Sequence, residues 1–376
     1  MVVDTPLVSV VIPAYNASET IRETLASASG QTYGNLDIIV VDDGSTDDTG
    51  AIVHRHSLQD PRVRLVEKSN GGVASARNAG IRASRGTLVA FLDADDLWHP
   101  TKVSKQVKVL LAGGGEIALV YSPFRVIDIN GKVLLSPRKY GASGWVLHRH
   151  FYANLIGNGS SILVRKSVLD EVGGFDPQLR EAGAEGCEDL LLQLRVAARY
   201  RFGEVQEYLI GYRRRPASMS SNADQMIRSG ALAIRIALSE CRHLSRLPRD
   251  VILNRHEWQR LRHAARQGDV ITALGYAWQQ FTGNPALAAA ALWNDLLLIG
   301  PRLADLIRSE LADKLGSSAG LRHFYDYDPV TGIDRARPCP RAFRRLALMD
   351  LEYRPRSGNA APARLANTFT DMATTR

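Results

Sequence analysis

Three carboxylates stand together in the first third of the sequence, directly after an apolar run. The run 88–92 predicts a buried strand, and Asp93, Asp95 and Asp96 follow it. Carboxylate oxygens are hard ligands, and Mg²⁺ or Mn²⁺ is commonly held by one or two of them while substrate phosphates complete the shell. The same acids would also stabilise the start of a following helix, because a helix N-terminus carries partial positive charge. The residues alone leave a metal site and a helix cap open.

Two earlier apolar runs also end in polar residues. Tyr15 follows the run 8–12, and its ring could stack on a planar base, unless the segment is only a turn before a helix. The pair Asp42 and Asp43 follows the run 37–41 and precedes a glycine turn. A turn and a helix cap do not explain a doubled acid, whereas a carboxylate there can accept a hydrogen bond from the imide N–H of uracil.

A glycine-rich segment follows the third apolar run. Gly71 and Gly72 would let the backbone approach a ligand closely, and Arg77 in the next predicted helix offers a fork of donors that suits a phosphate. These glycines do not have the spacing of a dinucleotide fingerprint after the first strand, and no P-loop lysine is present. A nicotinamide site or a P-loop site is therefore disfavoured.

Strand and helix patterns alternate through the first half of the chain, which predicts an α/β fold. The predicted strands are 8–12, 37–41, 63–67 and 88–92, and the predicted helices are 18–29, 47–57, 72–82 and 99–111. Such alternation is typical of a mostly parallel sheet with helices on both faces, where ligands bind at the carboxyl ends of the strands. Asn130-Gly131 then predicts a hairpin, and a later helix, 166–172, is expected to end at Gly173. A further strand is predicted at 205–212.

Composition predicts three parts in the chain. The first is an α/β domain over residues 1–222, and the second is a helical region over 223–330, rich in Ala, Leu and Arg. The helices predicted in that region are 224–242, 249–267, 269–282 and 285–315. The tail, 331–376, has little periodicity and many Pro, Arg, Ser and Ala residues, which predicts poor order.

Taken in order, the segments after the four strands resemble glycosyltransferase family 2, the inverting enzymes of GT-A fold. The resemblance covers about residues 6–222. It implies a nucleotide-sugar-binding, mixed and mostly parallel sheet flanked by helices and followed by a C-terminal helical region. The residues it implies at the nucleotide and sugar are Pro13, Tyr15, Asp43, Arg77, Asn78 and Asp93. Asp95 is the implied ligand of Mg²⁺ or Mn²⁺, and Asp96 is left as a helix cap.

An acidic pair in the second half of the same domain matches the position of the family's base. Glu188 and Asp189 resemble the Glu-Asp pair that opens a helix in the family, with Arg195 in a later turn. The resemblance implies that Asp189 takes the proton of the acceptor hydroxyl, with Glu188 beside it. Simple capping of the helix is the alternative.

Two later segments also resemble family motifs. The segment 157–161 resembles the one beneath the acceptor and donor sugar, so the hydroxyls of Ser160 and Ser161 are expected to bind sugar, although a bulge is the simpler account. The segment 212–220 resembles a loop over the diphosphate, which implies phosphate contacts for Arg213 and Arg215. Many relatives carry histidine where Arg215 stands, and arginine cannot coordinate a cation. A solvated surface is the alternative for both arginines.

Charge and cysteine content bound the partners and the compartment. The chain has 376 residues and a net charge of +8, but no zinc-finger spacing or aromatic RNA-binding signature, so no nucleic-acid partner is expected. Three cysteines fit neither a disulfide framework nor a metal cluster, and the first apolar run lacks a basic leader. These features predict a cytoplasmic protein. The basic helical region is expected to pack on the first domain, with peripheral contact to an anionic membrane face as the alternative.

The leading hypothesis is a metal-dependent, inverting glycosyltransferase. It would move a sugar from a nucleotide diphosphate, with UDP favoured, to a hydroxyl of a growing glycan, a lipid-linked sugar or a protein, as in polysaccharide biosynthesis of the cell envelope. A non-catalytic nucleotide-sugar-binding or scaffold protein on the same fold is the alternative. A nucleotidyltransferase is disfavoured because the segment after the first strand is not rich in glycine and arginine. A processive synthase is disfavoured because neither a Q-x-x-R-W segment after Asp189 nor an apolar run long enough to span a bilayer is present.

Overall fold

A computed structural model gives the fold of most of the chain. It describes residues 5–137, 141–183, 185–215, 222–244, 246–266, 269–283, 322–330 and 341–353. The strands in these ranges are β1 (Val8–Ala14), β2 (Leu36–Asp42), β3 (Val63–Glu67), β4 (Leu88–Phe91), β5 (Leu97–Trp98), β6 (Ile117–Tyr121), β7 (Phe124–Ile127), β8 (Val133–Leu135), β9 (Ile162–Arg165), β10 (Arg201–Glu204) and β11 (Ile210–Arg213). The helices are α1 (Ile21–Ser29), α2 (Thr49–Ser57), α3 (Val73–Ala83), α4 (Lys102–Ala112), α5 (Leu147–Ala153), α6 (Lys166–Val172), α7 (Gln178–Glu181), α8 (Glu188–Ala197), α9 (Ala223–Glu240), α10 (Arg246–Arg266), α11 (Val270–Gly283) and α12 (Arg341–Glu352).

The larger of two sheets has seven strands in the order β10-β6-β9-β4-β1-β2-β3. The pairs β1–β2, β2–β3 and β1–β4 are parallel, whereas β9 runs antiparallel to both of its neighbours, β4 and β6. The smaller sheet has the order β5-β11-β7-β8 and lies against the same domain. The predicted mixed α/β fold with a mostly parallel sheet is confirmed.

Apolar side chains on both faces explain why the central strands form this sheet. Val11 and Ile39 pack in one core cluster, whereas Val10 and Ile12 pack in a second cluster on the opposite face. Successive side chains of a strand point to opposite faces, so an apolar run without polar interruptions is buried from both sides. All seven residues of β1 and all seven of β2 are buried.

Several local predictions from sequence are confirmed. The hairpin at Asn130-Gly131 joins β7 to the antiparallel β8, and Gly131 has the positive φ, 76°, that the turn requires. The helix predicted at 166–172 is α6, which ends at Gly173 in the left-handed conformation. The strand predicted at 205–212 is wrong in its bounds, because the chain forms β10 before it and begins β11 only at Ile210. The helix predicted at 285–315 lies outside the described residues.

Part of the predicted tail is helical, which differs from the expectation of poor order. In α12, Phe343 and Leu346 are buried. The fully buried carboxylate of Asp350 accepts hydrogen bonds from His148 and from Nε of Arg149, both in α5. A buried carboxylate with two donors fixes the helix on the domain, and short windows of sequence do not reveal such long-range pairing. Within the described residues, no helix combines the length and the apolar character needed to cross a membrane.

Candidate active site

The fold brings the strand-end motifs together where the chain changes direction across the sheet. β1 lies between β2 and β4, so the chain passes from β1 outward through β2 and β3 and returns to the other side of β1 with β4. In open α/β sheets, ligands bind at such a switch point, outside the carboxyl ends of the strands. A cleft of about 320 Å³ opens there. The sequence-predicted residues that line it are Pro13, Tyr15, Arg77, Asp93, Asp95, Glu188, Asp189, Arg213 and Arg215.

Asp93 is held by two contacts at the end of β4. Its carboxylate accepts a hydrogen bond of 2.6 Å from Nη2 of Arg77, and its backbone N–H donates to Oγ of Ser160 at 3.0 Å. The next helix, α4, begins only at Lys102. The capping interpretation of the acidic cluster is therefore wrong, because these acids lie too far from the helix N-terminus.

Asp96 is fully buried behind the cleft. One carboxylate oxygen accepts a hydrogen bond of 2.5 Å from the Ser160 hydroxyl, and the other accepts the backbone N–H of Arg213 at 2.9 Å. Burial, followed by the charges of Asp95 and Asp93, raises the pKa of Asp96 well above its usual range. Asp96 thus fixes the backbone around the two cleft acids instead of capping a helix.

Asp95 lines the cleft next to Asp93. Burial and the neighbouring charge of Asp93 raise the pKa of Asp95 to about 6. A bound divalent cation would offset this repulsion. Among the residues that the structure describes, no group of three or more His, Cys, Asp or Glu side chains is arranged to hold a metal alone. The residues fit a cation that takes one or two carboxylates from the protein and its remaining ligands from a bound diphosphate.

Arg77 is a buried cation between the two acidic groups of the cleft. Burial lowers its pKa, but the charges of Asp93 and then Asp189 outweigh burial and keep the pKa above its usual value. The guanidinium carbon lies 5.1 Å from the ring centre of Phe175. Among the described residues, its buried Nε has no hydrogen-bond partner. A Cβ at Gly159 would stand 2.9 Å from Nη2 of Arg77, so glycine is what lets the arginine lie against this loop.

Glu188 and Asp189 enter the cleft at the start of α8. Glu188 is buried, and its Oε1 accepts the backbone N–H of Gly186 at 2.9 Å. Burial raises the pKa of Glu188. Asp189 is half-buried, and its Oδ1 accepts the N–H of Leu190 at 2.8 Å. The helix-start position fits both alternatives from sequence, but both side chains also line the cleft, which capping does not require.

Asp43 lies outside the lining of the cleft. Its buried carboxylate accepts the backbone N–H groups of Gly71, at 3.0 Å, and Gly72, at 2.7 Å, and it pairs with Lys68. It therefore holds the glycine-rich turn that precedes α3. The predicted contact of Asp43 with a base stays a prediction.

Asn78 also lies outside the cleft lining, and its contacts are structural. Its amide oxygen accepts the backbone N–H of Phe175 at 2.9 Å, and its amide nitrogen donates to the Phe175 carbonyl at 2.7 Å. Both polar groups of the side chain are thus used to bind α3 to the segment after α6. This differs from the nucleotide contact that the sequence predicted.

The two arginines of the late loop have different surroundings. Arg213 has no exposed side-chain surface, and its guanidinium donates to the carbonyls of Asp95 and Ile129 and to Glu23. It braces the loop that carries Asp95, which differs from the direct phosphate contact that the sequence predicted. Arg215 is partly exposed, lines the cleft and pairs with the exposed Glu19. The residues after it, 216–221, lie outside the described residues.

Tyr15 stands at the mouth of the cleft with 53% of its surface exposed. The loop that carries it is tied to the loop after β2, since the N–H of Asn16 donates to Oγ of Ser45 and the N–H of Ser18 donates to Asp47, both at 3.0 Å. A fixed loop with an exposed ring can stack on a flat ligand.

Some cleft residues are not apparent from sequence, and one expected group is absent from the lining. Ser160 and Ser161 are fully buried, and their hydroxyls bond inside the protein, so the expected contact of those hydroxyls with sugar is wrong. Thr20 and Met226 line the cleft without any motif that would have identified them, whereas Asn158, which also lines it, lies in the motif 157–161. Met226 belongs to α9, in the predicted helical region.

Comparison with known proteins finds similarity in the first part of the chain. Residues 9–173 match the family model described as Glycosyl transferase family 2. An uncharacterized glycosyltransferase of Rickettsia prowazekii is 31% identical over 178 residues, which cover 46% of this chain and 55% of that protein. The Escherichia coli protein named UDP-Glc:alpha-D-GlcNAc-diphosphoundecaprenol beta-1,3-glucosyltransferase is 44% identical over 102 residues, covering 27% of this chain and 40% of that protein. The chain therefore matches only about half of the length of these curated relatives.

Two solved structures have the same fold. S. aureus TarS in complex with UDP-GlcNAc superposes with a TM-score of 0.53 and 21% identity over 66% of this chain and 72% of that chain. A mannosyltransferase from Pyrobaculum calidifontis in complex with GDP-Man and Mn²⁺ gives a TM-score of 0.51 and 21% identity over 78% of this chain and 88% of that chain. At this level of identity the likeness establishes the fold alone, and that fold is GT-A.

Proposed function

From the premise that residues 9–173 belong to glycosyltransferase family 2, we propose that this protein transfers a sugar from a nucleotide diphosphate to an acceptor hydroxyl with inversion at the anomeric carbon. One observation carries the proposal. A single cleft at the carboxyl ends of β1 and β4 contains Asp189 of α8 together with Asp93, Asp95 and Arg77. Residues that only cap helices or carry surface charge need not lie in one concave site. Residues that bind a nucleotide-sugar donor and a residue that acts as the base must lie in the same site.

UDP is the nucleotide we propose for the donor. The E. coli relative is named for a UDP-glucose donor, and the TarS structure contains UDP-GlcNAc. Tyr15, exposed at the cleft mouth, would stack on the uracil ring. Asp43 supports the same region by holding the turn at Gly71 and Gly72. We also propose that its carboxylate accepts a hydrogen bond from the imide N–H of uracil.

The acceptor hydroxyl is activated by Asp189 in this proposal. Its carboxylate takes the hydroxyl proton as the acceptor oxygen bonds to the anomeric carbon, on the face opposite the departing diphosphate. Attack from that face inverts the anomeric centre. The buried Glu188 holds the loop before Asp189 through Gly186 and so helps to set the position of the base.

Asp95, with Asp93 beside it, would hold Mg²⁺ or Mn²⁺ in the loaded enzyme. The cation would supply positive charge that offsets the negative charge on the leaving diphosphate. The protein adds positive charge at the same place through Arg215 on the rim and through Arg77 beneath Asp93. Arg213 acts indirectly, because its guanidinium donates to the Asp95 carbonyl at 2.6 Å and keeps that loop in place.

The acceptor we propose is a glycan or a lipid-linked sugar of the cell envelope, with peripheral contact between the protein and an anionic membrane. The E. coli relative's name includes a diphosphoundecaprenol-linked acceptor.

On α11, Ile271, Leu274 and Trp278 are 86%, 64% and 72% exposed, and their spacing puts them on one helix face. The net charge of +8 suits an anionic surface. Flotation with phosphatidylglycerol vesicles, lost on Trp278→Ser, is the expected result, and flotation that this variant leaves unchanged would refute the contact.

A donor screen tests the proposed function. The protein is incubated with UDP-glucose, UDP-GlcNAc, UDP-galactose and GDP-mannose in the presence of Mn²⁺, and release of nucleoside diphosphate is measured with and without EDTA. We expect release from one or more UDP sugars and its loss in EDTA. Tight binding of UDP without any turnover, with water or with glycan acceptors, would instead support the non-catalytic alternative.

A further inference from the structure

The first turns of α9 contact the loop that leads to Asp189, although α9 lies beyond residue 173, where the family match ends. We propose that Ser229 and Gln225 of α9 are positioning residues for the base, acting through one peptide unit of that loop. This inference rests on the proposed function, which gives Asp189 the role of base. It assigns to the helical region a role in catalysis that the strand-end motifs do not provide.

One peptide unit, between Glu185 and Gly186, is fixed at both of its polar ends. The Glu185 carbonyl accepts hydrogen bonds from Oγ of Ser229 at 2.9 Å and from Nε2 of Gln225 at 3.2 Å. The N–H of the same unit, on Gly186, donates to Oε1 of Glu188 at 2.9 Å. The peptide therefore connects the side chains of α9 directly to the carboxylate next to Asp189.

The glycine in this peptide leaves its orientation to be set by contacts such as those from α9. Gly186 has φ of 118°, a conformation that other residues rarely adopt. Because glycine has no Cβ, sterics alone do not hold the Glu185–Gly186 peptide in one orientation. Two donors on its carbonyl select one orientation, and that orientation directs the N–H toward Glu188.

The donors themselves are held in place. Ser229 is fully buried, and Asn222 caps α9 by accepting the backbone N–H of Gln225 at 3.1 Å. Between them, Met226 lines the cleft with its side chain, and its carbonyl faces the thiol of Cys187 at 3.8 Å. The start of α9 therefore lines the cleft and also holds the loop.

Loss of the hydrogen bonds from Ser229 and Gln225 should slow the chemical step more than it weakens binding of the nucleotide sugar. A general base works only within hydrogen-bond reach of the proton that it takes, and small displacements lower the rate. The nucleotide site proposed above depends on Tyr15, Asp43 and Arg215, whereas Ser229 and Gln225 bond to the Glu185 carbonyl in the loop that leads to the base. The expected signature is a lower kcat with unchanged affinity for UDP.

The test compares four variants in α9 with the wild-type protein. Ser229→Ala and Gln225→Ala each remove one donor, and Gln225→Glu keeps the shape but places an acceptor against the Glu185 carbonyl. Ser239→Ala is the matched control, because among the described residues the exposed Ser239 donates only to the Ile236 carbonyl of its own helix, at 2.7 Å. Turnover is measured as UDP release from the most active UDP sugar of the donor screen, and UDP affinity is measured by calorimetry.

Each alanine variant at Ser229 or Gln225 is expected to lower kcat about three- to tenfold, the effect of one hydrogen bond, with UDP affinity within about twofold of wild type. Gln225→Glu is expected to lower kcat at least as much as Gln225→Ala does. The kcat of Ser239→Ala is expected to match that of wild type. If Ser229→Ala does not fold, the two variants at the partly exposed Gln225 decide the result.

Two outcomes would overturn the inference. One is kcat within about twofold of wild type for both Gln225 variants, and the other is a loss of UDP affinity as large as the loss of kcat. Asp189→Asn is measured in parallel. If it keeps full turnover, the proposed base is wrong, whereas an inactive Asp189→Asn beside fully active Gln225 variants refutes only the role of α9.

Discussion

Arg77 donates a hydrogen bond of 2.6 Å to Asp93, and this pair connects the two acidic groups of the cleft. The arginine side chain is 6% exposed, and the charges of Asp93, Asp189 and Glu188 all raise its pKa. One buried cation therefore balances acids from the end of β4 and from the start of α8. The positive charge of Arg77 therefore stabilises the negative charges of all three acids in the cleft.

Replacing Arg77 should affect stability as well as activity. Arg77→Met leaves Asp93, Asp189 and Glu188 without their shared counter-charge, so we expect the free energy of unfolding to fall by about 3 kcal/mol. Urea denaturation measures it. Arg235→Met is the matched control, because Arg235 is 48% exposed in its pair with Glu257, and it should cost less than about 1 kcal/mol. Equal losses in the two variants would contradict the account.

Asn78 distinguishes the structural interpretation from the nucleotide contact predicted by sequence. Asn78→Asp removes the donor to the Phe175 carbonyl, and we expect unfolding free energy to fall by about 1–3 kcal/mol with UDP affinity unchanged. Asn35→Asp is the control, since the exposed Asn35 makes a similar bond to Thr5 at 2.7 Å. Weaker UDP binding without loss of stability would restore the nucleotide contact.

Arg213 and Arg215 should respond differently to the same substitution. Arg213→Met leaves the carbonyls of Asp95 and Ile129 without a donor, so we expect a loss of about 3 kcal/mol in unfolding free energy. Arg215→Met should cost less than about 1 kcal/mol, because its pair with Glu19 is exposed. It should instead weaken UDP binding several-fold. Weaker UDP binding by Arg213→Met, at unchanged stability, would show that its guanidinium is free for phosphate.

The contacts of Asp47 predict a pH dependence of stability. Burial raises the pKa of Asp47, but hydrogen bonds from Thr49 and Ser18 outweigh burial and lower the pKa from 3.8 to about 2. Because the folded-state pKa is the lower one, the stabilisation is present above pH 3.8 and is lost as the pH falls toward about 2. Asp47→Asn should therefore lower the thermal midpoint at pH 7, and its difference from wild type should narrow below about pH 4.

Asp48→Asn is the control for this pH series, because within the described part of the chain Asp48 makes no side-chain capping bond to α2. A difference between Asp47→Asn and wild type that is constant from neutral to acid pH would contradict the carboxylate contribution. The measurement also tests whether the loops after β1 and β2 are held together, since Asp47 accepts the N–H of Ser18 across them.

Much of the fold was predictable because its signals are local. Apolar runs of the length of β1 and β2 predict strands buried on both faces, and the polar residues after them must then lie at one edge of the sheet. The convergence of Tyr15, Asp93 and Asp95 on one cleft follows from that pattern. The glycine stop at Gly173 and the hairpin at Gly131 were equally local.

The functions of single side chains were less predictable, because partners lie far apart in sequence. Asn78 and Phe175 are 97 residues apart, and Arg213 and Glu23 are 190 apart. Asn78 and Arg213 both match family motifs, yet in the folded chain their polar groups form hydrogen bonds with residues that are distant in sequence. Met226 carries no sequence signal at all, since its place in the cleft depends on how α9 packs.

The central claim is that this cleft transfers sugars with Asp189 as the base, and one comparison tests it most directly. UDP release from the most active UDP sugar is measured for wild type and Asp189→Asn, together with UDP binding. The amide keeps the size of the side chain but cannot take a proton at working pH. We expect turnover to fall by about two to four orders of magnitude while UDP binds as in wild type. Undiminished turnover by Asp189→Asn would contradict the account.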